Sequence, residues 1–287
     1  TRRPPAPGNL LTVPQRKPHL TQARVPATCA VVATNHLGEQ VPLALPAERD
    51  LTLYVDKREL VTLMTLGSHP EWLALGYLRN QQLVDHLDQV ESVTVDWSVG
   101  AAAINTRQGL PDLAERTAHR VVTTGCGQGS VFAAAQDKVA PLAPGDQQGV
   151  KTSTLQAVVE AIRLHPSVYK TAGSVHGCAL FRGTEMLLFV EDVGRHNAVD
   201  TIAGWMWLNG VPGAADLVFY TTGRLTSEMV MKAAHMGVPV LVSRSGMTQM
   251  GLDHAQRLGL CAVGRATHKR FLCYTHPERL VWDTFPP

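Results

Sequence analysis

The second half of the chain predicts an α/β fold with a mainly parallel or mixed sheet. Short apolar runs rich in β-branched residues alternate there with segments whose apolar residues recur at helical spacing, an order typical of strands connected by helices. A first helix is expected near Ser153, which forms a capping box with Gln156. The elements predicted after it are strand 186–190, helix 198–208, strand 217–220, helix 226–236, strand 238–243, helix 249–258 and strand 260–263.

The first half predicts a smaller α+β unit. Residues 29–33, 51–55 and 90–97 have the composition and alternation of strands. A helix is expected after Ser68, which forms a second capping box with Glu71. We therefore expect four segments along the chain: a disordered tail at 1–26, a small α+β domain at 27–135, a mobile loop at 136–151 and an α/β domain at 152–287.

Composition and charge exclude several classes of protein. With 45% hydrophobic and 17% charged residues, the chain has the composition of an ordinary globular protein. No apolar stretch approaches the roughly 20 residues of a membrane span. A net charge of +2 and 6% aromatic residues give no indication of nucleic-acid binding. The proline- and arginine-rich start has no apolar core segment, so a secretory signal is not expected.

The five cysteines indicate a reducing, cytoplasmic environment. They are odd in number, widely spaced and free of any C-x-x-C pair, so neither a disulfide framework nor structural zinc is expected. Cys126 lies in a glycine-flanked turn that follows a β-branched run and precedes an apolar segment from Ser130, which predicts the start of a helix. Because a helix N-terminus favours a thiolate, Cys126 is a candidate nucleophile. The alternative is an incidental cysteine in a turn.

Three polar segments follow predicted strands and are candidate sites. Residues 191–197 combine two acids, an arginine, a histidine and an asparagine, and the alternative to a functional loop is an internal ion-pair network. Arg224, Thr226 and Ser227 belong to a strand-to-helix turn that either holds an anion or only caps the helix. Residues 264–270 carry three permanent cations and a histidine, which suit phosphates unless the loop is merely solvated.

Taken together, these segments resemble the formate dehydrogenase accessory sulfurtransferase family, FdhD. The resemblance extends in order from about residue 39 to residue 280. The stretches E-D-V-G-R-H-N-A and G-R-L-T-S-E-M-V are long and chemically unusual, which makes the match specific. The matching stretches are 39–43, 63–65, 71–78, the turn around Cys126, 171–176, 191–200, 223–233 and 274–277.

The resemblance implies a cytidine-deaminase-like α/β domain without zinc chemistry, a smaller partner domain and a homodimer. It also implies a persulfide-dependent sulfurtransferase, which accepts sulfur from a cysteine desulfurase and passes it to the bis-guanine-dinucleotide molybdenum cofactor that formate dehydrogenase requires. Cys126 matches the persulfide-forming cysteine of the family, and Arg224, Thr226 and Ser227 are expected to help with the cofactor phosphates. The cofactor is a bound substrate, and no intrinsic metal is expected. The family's cofactor-binding segment is matched by Arg265, Ala266, Thr267, His268, Lys269 and Arg270.

The chain departs from the family pattern at three places. Gly129 stands where many members have a second cysteine, although a persulfide relay needs one thiol. The usual T-G-G-x-H is T-A-G-S-V-H here, ending in His176, and residues 265–270 lack the aromatic residue common at their start. Gly129 keeps a rival open, a cofactor chaperone for formate dehydrogenase that moves no sulfur. A zinc-dependent nucleoside deaminase is a third alternative, which the missing ligands disfavour.

Overall fold

The computed structural model describes residues 16–111, 113–117, 120–123, 129–132, 139–143, 149–268 and 270–283. Within this part the fold is mixed α/β, as the alternating pattern predicts. The strands are β1 (His19–Leu20), β2 (Thr28–Thr34), β3 (Gln40–Pro46), β4 (Arg49–Val55), β5 (Arg58–Thr65), β6 (Val90–Asp96), β7 (Ala101–Thr106), β8 (Arg120–Thr123), β9 (Gly129–Phe132), β10 (Val150–Lys151), β11 (His176–Arg182), β12 (Glu185–Asp192), β13 (Leu217–Thr221), β14 (Val240–Ser243), β15 (Cys261–Gly264), β16 (Leu272–Cys273) and β17 (Leu280–Val281). The helices are α1 (Pro70–Asn80), α2 (Leu113–Arg116), α3 (Thr152–Leu164), α4 (Val168–Ala172), α5 (Arg195–Leu208), α6 (Ser227–His235) and α7 (Gln249–Leu258), and short 3-10 turns lie at Leu87–Gln89 and Pro277–Arg279.

A six-stranded mixed sheet forms the second half, in the order β12-β11-β13-β14-β15-β16. Strands β13, β14 and β15 are parallel, whereas β11 is antiparallel to both its neighbours and β16 is antiparallel to β15. The central strand β13 is buried on both faces, as expected for a parallel strand covered by helices. Leu217 and Phe219 pack in the core with α5, α6 and α7, while Val218 and Tyr220 pack in the core with α3.

A five-stranded sheet forms the first half, in the order β1-β6-β7-β4-β5. Leu53 of β4 and Val93 of β6 belong to one buried core with Leu75 and Leu78 of α1. The predicted helix and the three predicted strands of this half are therefore confirmed. In the part of the chain that is described, no helix combines the length and the apolar character needed to span a bilayer.

Helices α1 and α5 join the two halves by crossing at unusually close range. Gly76 of α1 faces the backbone of Asp200, and Gly204 of α5 faces the backbone of Trp72. A Cβ atom at either glycine would collide with a carbonyl oxygen of the other helix, so no other residue fits this spacing. The Arg79 guanidinium of α1 also donates to the carbonyl of Ala203, at 2.9 Å.

Both predicted capping boxes are wrong, because tertiary partners replace them. The N-cap of α1 is His69, without a side-chain cap, and the Glu71 carboxylate instead accepts from the Thr21 hydroxyl at 2.9 Å and the Ala23 amide at 2.6 Å. At the start of α3, the carboxylate of Asp283 accepts from the Ser153 amide at 2.9 Å. An ionised carboxylate is a stronger acceptor than the hydroxyl that the local pattern offers.

The helix predicted from Ser130 is contradicted at residues 130–132, and the rest of that segment lies outside the described residues. Residues Gly129–Phe132 form β9, which pairs antiparallel with β8 through Val121↔Val131 and Val122↔Ser130. Val121, Val122 and Thr123 are β-branched, and Val131 and Phe132 also have high strand propensity, which favours a hairpin over a helix here. Cys126 lies between these two strands in the sequence, outside the described residues, so the thiolate stabilisation expected from a helix N-terminus loses its structural basis.

Candidate functional site

The loops that carry the predicted binding residues meet at the end of the six-stranded sheet where its parallel strands terminate. This end is called the carboxyl edge of the sheet. Strands β12, β13, β14 and β15 run in the same direction, so the segments that follow them emerge together at their carboxyl ends. Arg224 follows β13, Arg244 follows β14 and Arg265 follows β15, and all three side chains are exposed. Ligands of open α/β sheets bind at this edge. The edge therefore gathers three guanidinium groups that the sequence separates by 20 residues or more.

Backbone hydrogen bonds connect these three loops into one framework. The Arg265 amide donates to the Ser245 carbonyl at 2.7 Å, and the Ala266 amide donates to the Ser243 carbonyl at 2.9 Å. The Ser243 hydroxyl in turn donates to the Gly223 carbonyl at 2.6 Å. Arg265 has a φ of +50°, in the left-handed region that is costly for a residue with a Cβ. The neighbouring loops hold it there, so its guanidinium is positioned by a fixed backbone.

A cavity of about 330 Å³ opens at this edge, between α3 and the loop after β15. Its size lies within the range of pockets that hold small molecules. A second cavity of about 370 Å³ adjoins it and shares Tyr169, Thr222 and Arg244 with it. The two cavities together are called the cleft. The first cavity is lined by both apolar and polar side chains. The apolar ones include Ile162, Phe189 and Tyr220, and the polar ones include Glu191, Thr267 and His268.

The predicted binding residues divide into two groups. Ala266, Thr267 and His268 line the first cavity, together with Arg244, which the sequence analysis missed. The other described candidates lie at the same edge but are not among the residues that line the two cavities, and Lys269 lies outside the described residues. A sequence signal for Arg244 did exist, because it follows the predicted strand 238–243 as Arg224 and Arg265 follow theirs. The candidates at the edge are Arg224, Thr226, Ser227, Arg265 and Arg270.

Most of residues 191–197 form an internal network, the alternative to a functional loop, whereas Glu191 lines the first cavity. The Asp192 carboxylate accepts from the Thr65 hydroxyl at 2.6 Å, the Leu66 amide at 3.3 Å and the Asn197 side-chain amide at 2.9 Å. The first two partners belong to the first half of the chain. Burial raises the pKa of Asp192 to about 6, against the opposing effect of these hydrogen bonds. Asp192 therefore connects the two halves of the molecule beneath the cleft.

A second buried ionic cluster lies between α5 and α6. The Lys232 ammonium is 2.8 Å from the carboxylate of Asp200 and 3.0 Å from that of Glu228, and each of these side chains is at most 4% exposed. Asn80 of α1 donates to Asp200 at 2.7 Å. The two carboxylates raise the pKa of Lys232 despite burial, so the lysine is charged. The residues of the unusual motifs at 191–200 and 223–233 thus contribute heavily to the interior.

His176 and Cys178 do not form a metal pair. The Cys178 sulfur is buried against the Thr221 hydroxyl, 3.3 Å away, and burial raises the pKa of this thiol to about 12. The His176 ring lies 3.3 Å from the Thr222 hydroxyl, and burial and the nearby guanidinium groups of Arg195 and Arg224 lower its pKa. Among the described residues, no group of three or more histidine, cysteine or acidic side chains could hold a metal ion.

Replacing His196 with asparagine is expected to make stability less sensitive to acid. The His196 ring lies 3.2 Å from the Glu228 carboxylate, but burial lowers its pKa from 6.5 to about 3. Between these values the unfolded chain binds a proton at His196 that the folded protein does not. The stabilising contribution of neutral His196 is therefore complete above pH 6.5 and is lost as the pH falls toward 3, by up to about 1.4 kcal/mol per pH unit.

Urea unfolding at pH 6.5 and pH 5 measures this effect. The difference in free energy of unfolding between wild type and His196→Asn should shrink by about 2 kcal/mol over that interval. His36→Asn, at an exposed histidine between β2 and β3, serves as the control for a histidine outside the interior. A constant difference for His196→Asn would contradict the assignment.

Comparison with known proteins identifies the family. The FdhD/NarQ family model matches residues 46–281. The sulfur carrier protein FdhD of Halalkalibacterium halodurans is 30% identical over 248 residues, covering 86% of this chain and 90% of the relative. The protein of the same name from Bacillus subtilis is 29% identical over 235 residues, with coverage of 81% and 88%. The crystal structure of a formate dehydrogenase accessory protein from Desulfotalea psychrophila has the same fold, with a TM-score of 0.68 at 23% identity, covering 88% of this chain and 98% of that one.

The fold is mixed α/β, and a cavity lined by Arg244, His268 and apolar side chains opens at the carboxyl ends of its parallel strands. The family model covers well over half of the chain, and the fold agrees with that of the accessory protein. The chain belongs to the FdhD/NarQ family.

Proposed function

We propose that this chain is a sulfurtransferase that carries sulfur, as a persulfide on Cys126, from a cysteine desulfurase to the bis-guanine-dinucleotide molybdenum cofactor of formate dehydrogenase. The observation that carries the proposal is the carboxyl end of the sheet, where Arg224, Arg244 and Arg265 each follow a strand and Arg244 lines a cavity together with residues 266–268. Relatives named sulfur carrier protein FdhD support it, because they match over nearly their whole length. The protein acts in the cytoplasm as a homodimer.

The cleft suits the guanine-dinucleotide end of that cofactor. A pyrophosphate carries negative charges that guanidinium groups bind with paired, charge-assisted hydrogen bonds. Arg244 lies on the boundary of the two cavities, where it can contact phosphate oxygens. Phe189, Tyr220 and Ile162 offer an apolar wall for the flat face of a base. The side chains present therefore provide for both the phosphates and the base.

The sulfur step requires one accessible thiolate. The Cys126 thiolate attacks the terminal sulfur of the desulfurase persulfide, a new S–S bond forms, and the desulfurase cysteine leaves as a thiolate. Onward transfer of that sulfur regenerates the Cys126 thiol. Of the cysteines that the structure describes, Cys178 and Cys261 are buried, which makes them unsuitable carriers. Cys29 is exposed and Cys273 is half-buried, so these two thiols are the internal competitors.

A cofactor chaperone that moves no sulfur is the second candidate. It would use the same cleft, and the observation in its favour is Gly129, at a position where many relatives have a second cysteine. The two candidates differ in one measurable property, which is whether Cys126 accepts sulfur.

Incubation with a cysteine desulfurase and cysteine is expected to add about 32 Da, one sulfur atom, to the intact protein. The gain should be lost in Cys126→Ala and retained in Cys29→Ala, which removes the exposed competitor. Intact-protein mass spectrometry measures both. If wild type gains no sulfur while it still binds guanine nucleotide, the chaperone is correct and the transferase is not. If Cys126→Ala still gains the mass of one sulfur atom, the carrier is another thiol.

Replacing Arg244 with alanine is expected to weaken binding of guanosine diphosphate 10- to 100-fold. A hydrogen bond to a charged group contributes about 1.5–3 kcal/mol, and about 1.4 kcal/mol corresponds to a factor of ten. Titration calorimetry measures the dissociation constant. Arg182→Ala is the matched control, because Arg182 ends β11 at the opposite edge of the sheet, 3.6 Å from Asp216. Equal losses in the two variants would indicate a general charge effect and not a contact in the cleft.

A further inference from the structure

Two thiols lie in contact on the neighbouring strands β15 and β16. Cys261 belongs to β15 and Cys273 to the antiparallel edge strand β16, and their sulfur atoms are 3.8 Å apart. Both cysteines are free. An S–S bond is about 2.05 Å long, so a displacement of less than about 2 Å would bring the two sulfurs to bonding distance.

The strand that can make this movement is β16. Strand β15 is buried along its whole length, between β14 and β16, and Cys261 is fully buried. Strand β16 has two residues, lies at the edge of the sheet and is partly exposed, with Leu272 49% exposed. Short edge strands have few contacts to lose when they shift. The geometry therefore allows Cys273 to approach Cys261.

Cys273 is the thiol that an external reagent would reach first. It is half-buried, whereas Cys261 has no exposed surface. The two thiols share a hydrogen bond, which lowers the pKa of Cys273 and raises that of Cys261. Because thiolates are the attacking species in thiol–disulfide exchange, reaction begins at Cys273 and ends at Cys261.

We infer that Cys261 and Cys273 form a reversible dithiol site that low-molecular-weight disulfides oxidise. The Cys273 thiolate attacks one sulfur of the reagent, a mixed disulfide forms, and one reagent thiolate leaves. Cys261 then attacks the Cys273 sulfur, its proton passing to the second departing thiolate. The two protein thiols lose two electrons and two protons in total, and one disulfide is reduced to two thiols. The second step is intramolecular, so it needs no access of solvent to Cys261.

The disulfide would close a covalent loop around residues 265–270, the basic segment at the edge of the cleft. The residues between the two cysteines would then be tethered at both ends, and fewer conformations would be open to them. The site is independent of the proposed function, since it requires neither sulfur transfer by Cys126 nor nucleotide binding.

Oxidised glutathione is the probe. The reduced, folded full-length protein is incubated with it, remaining thiols are blocked by alkylation, and the protein is digested with trypsin. Cleavage at arginine separates the two cysteines into peptides 258–265 and 271–279, each with one cysteine. The expected product is this linked pair, about 2 Da lighter than the two reduced peptides together. Cys178, fully buried on another strand, should be alkylated only after denaturation.

Two variants test the order of the steps. Cys261→Ser should accumulate glutathione on Cys273, and Cys273→Ser should leave Cys261 unmodified. The exposed Cys29 should take up glutathione in all three proteins, which confirms that the reagent is active. Absence of the linked pair in wild type, with Cys29 modified, would overturn the proposal. So would a linked pair that forms only after the protein is unfolded. The wild-type result alone can overturn the proposal, so the test remains valid even if one of the variants fails to fold.

Discussion

Replacing Lys232 with methionine is expected to lower the free energy of unfolding by about 3–5 kcal/mol, the usual cost of removing one partner from a buried ion pair. The ammonium group lies between the carboxylates of Asp200 and Glu228, both of which are at most 2% exposed. Methionine fills the space of the lysine stem, so the loss arises from charge and not from a cavity. Two acidic groups would then share a site without a cation.

The loss should depend on pH in a direction that identifies its cause. Burial already raises the pKa of Asp200 to about 6, and Lys232 opposes that shift. Without the lysine, the folded protein favours the protonated carboxyl still more. The stability gained from that proton is present at low pH and is lost as the pH rises, so the deficit of Lys232→Met should be smaller at pH 5 than at pH 8.

Urea unfolding of Lys232→Met and Arg163→Met tests this expectation. Arg163 forms an exposed ion pair with Glu160, at 2.6 Å and 60% exposure of the arginine, and its removal should cost less than about 1 kcal/mol. The two variants carry the same substitution type in different surroundings. Similar losses would show that burial of the Lys232 cluster has no special effect and would contradict the prediction.

Gly76→Ala is expected to destabilise the protein by about 2–3 kcal/mol, the cost of overpacking a rigid contact. In an exposed helix the same change stabilises by about 1 kcal/mol, because alanine is the better helix former. At this position the added methyl group would collide with the carbonyl of Asp200, and backbone cannot move aside as a flexible side chain can. Helices α1 and α5 would have to separate, which would disturb the hydrogen bond from Asn80 to Asp200.

Gly246→Ala provides a control of opposite sign. No atom lies within 4 Å of a Cβ built at Gly246, and its φ is not in the left-handed region. Alanine there should leave stability unchanged or raise it by up to about 1 kcal/mol, because alanine lowers the conformational entropy of the unfolded chain. Thermal or urea unfolding measures both variants. A stabilising Gly76→Ala would mean that α1 and α5 do not cross at the observed distance.

Local periodicity was sufficient to predict the elements whose apolar residues recur at the spacing of a helix or a strand. Helix α7 spans residues 249–258 as predicted and ends at Gly259, which has the left-handed φ of +67° expected at a helix C-terminus. The strands β13, β14 and β15 were found to within two residues. The pattern did not predict β11, whose small and mixed residues resemble a loop until β12 and β13 pair with it on either side.

The sequence located one part of the cavity wall, the part that a single loop supplies. The basic loop after β15 was recognised, and Ala266, Thr267 and His268 line the cavity. The role of residues 191–197 was not recognised, because a high density of polar residues in a sequence does not show whether their side chains point outward or into the protein. The partners of Asp192 decide this, and Thr65 lies 127 residues away from it in the chain.

The sequence by itself therefore determined the order of elements in the second half, the membership in a family and the cationic loop. Each of these depends on residues close together in the chain, through helical or strand periodicity, or on a motif of adjacent letters. Only the tertiary structure decided that Arg244 lines the cavities, that Gly129–Phe132 is a strand and that Asp192 is interior. These depend on which distant segments meet. A buried charge or a close helix crossing is stable only with its partner in place, and no local pattern specifies that partner.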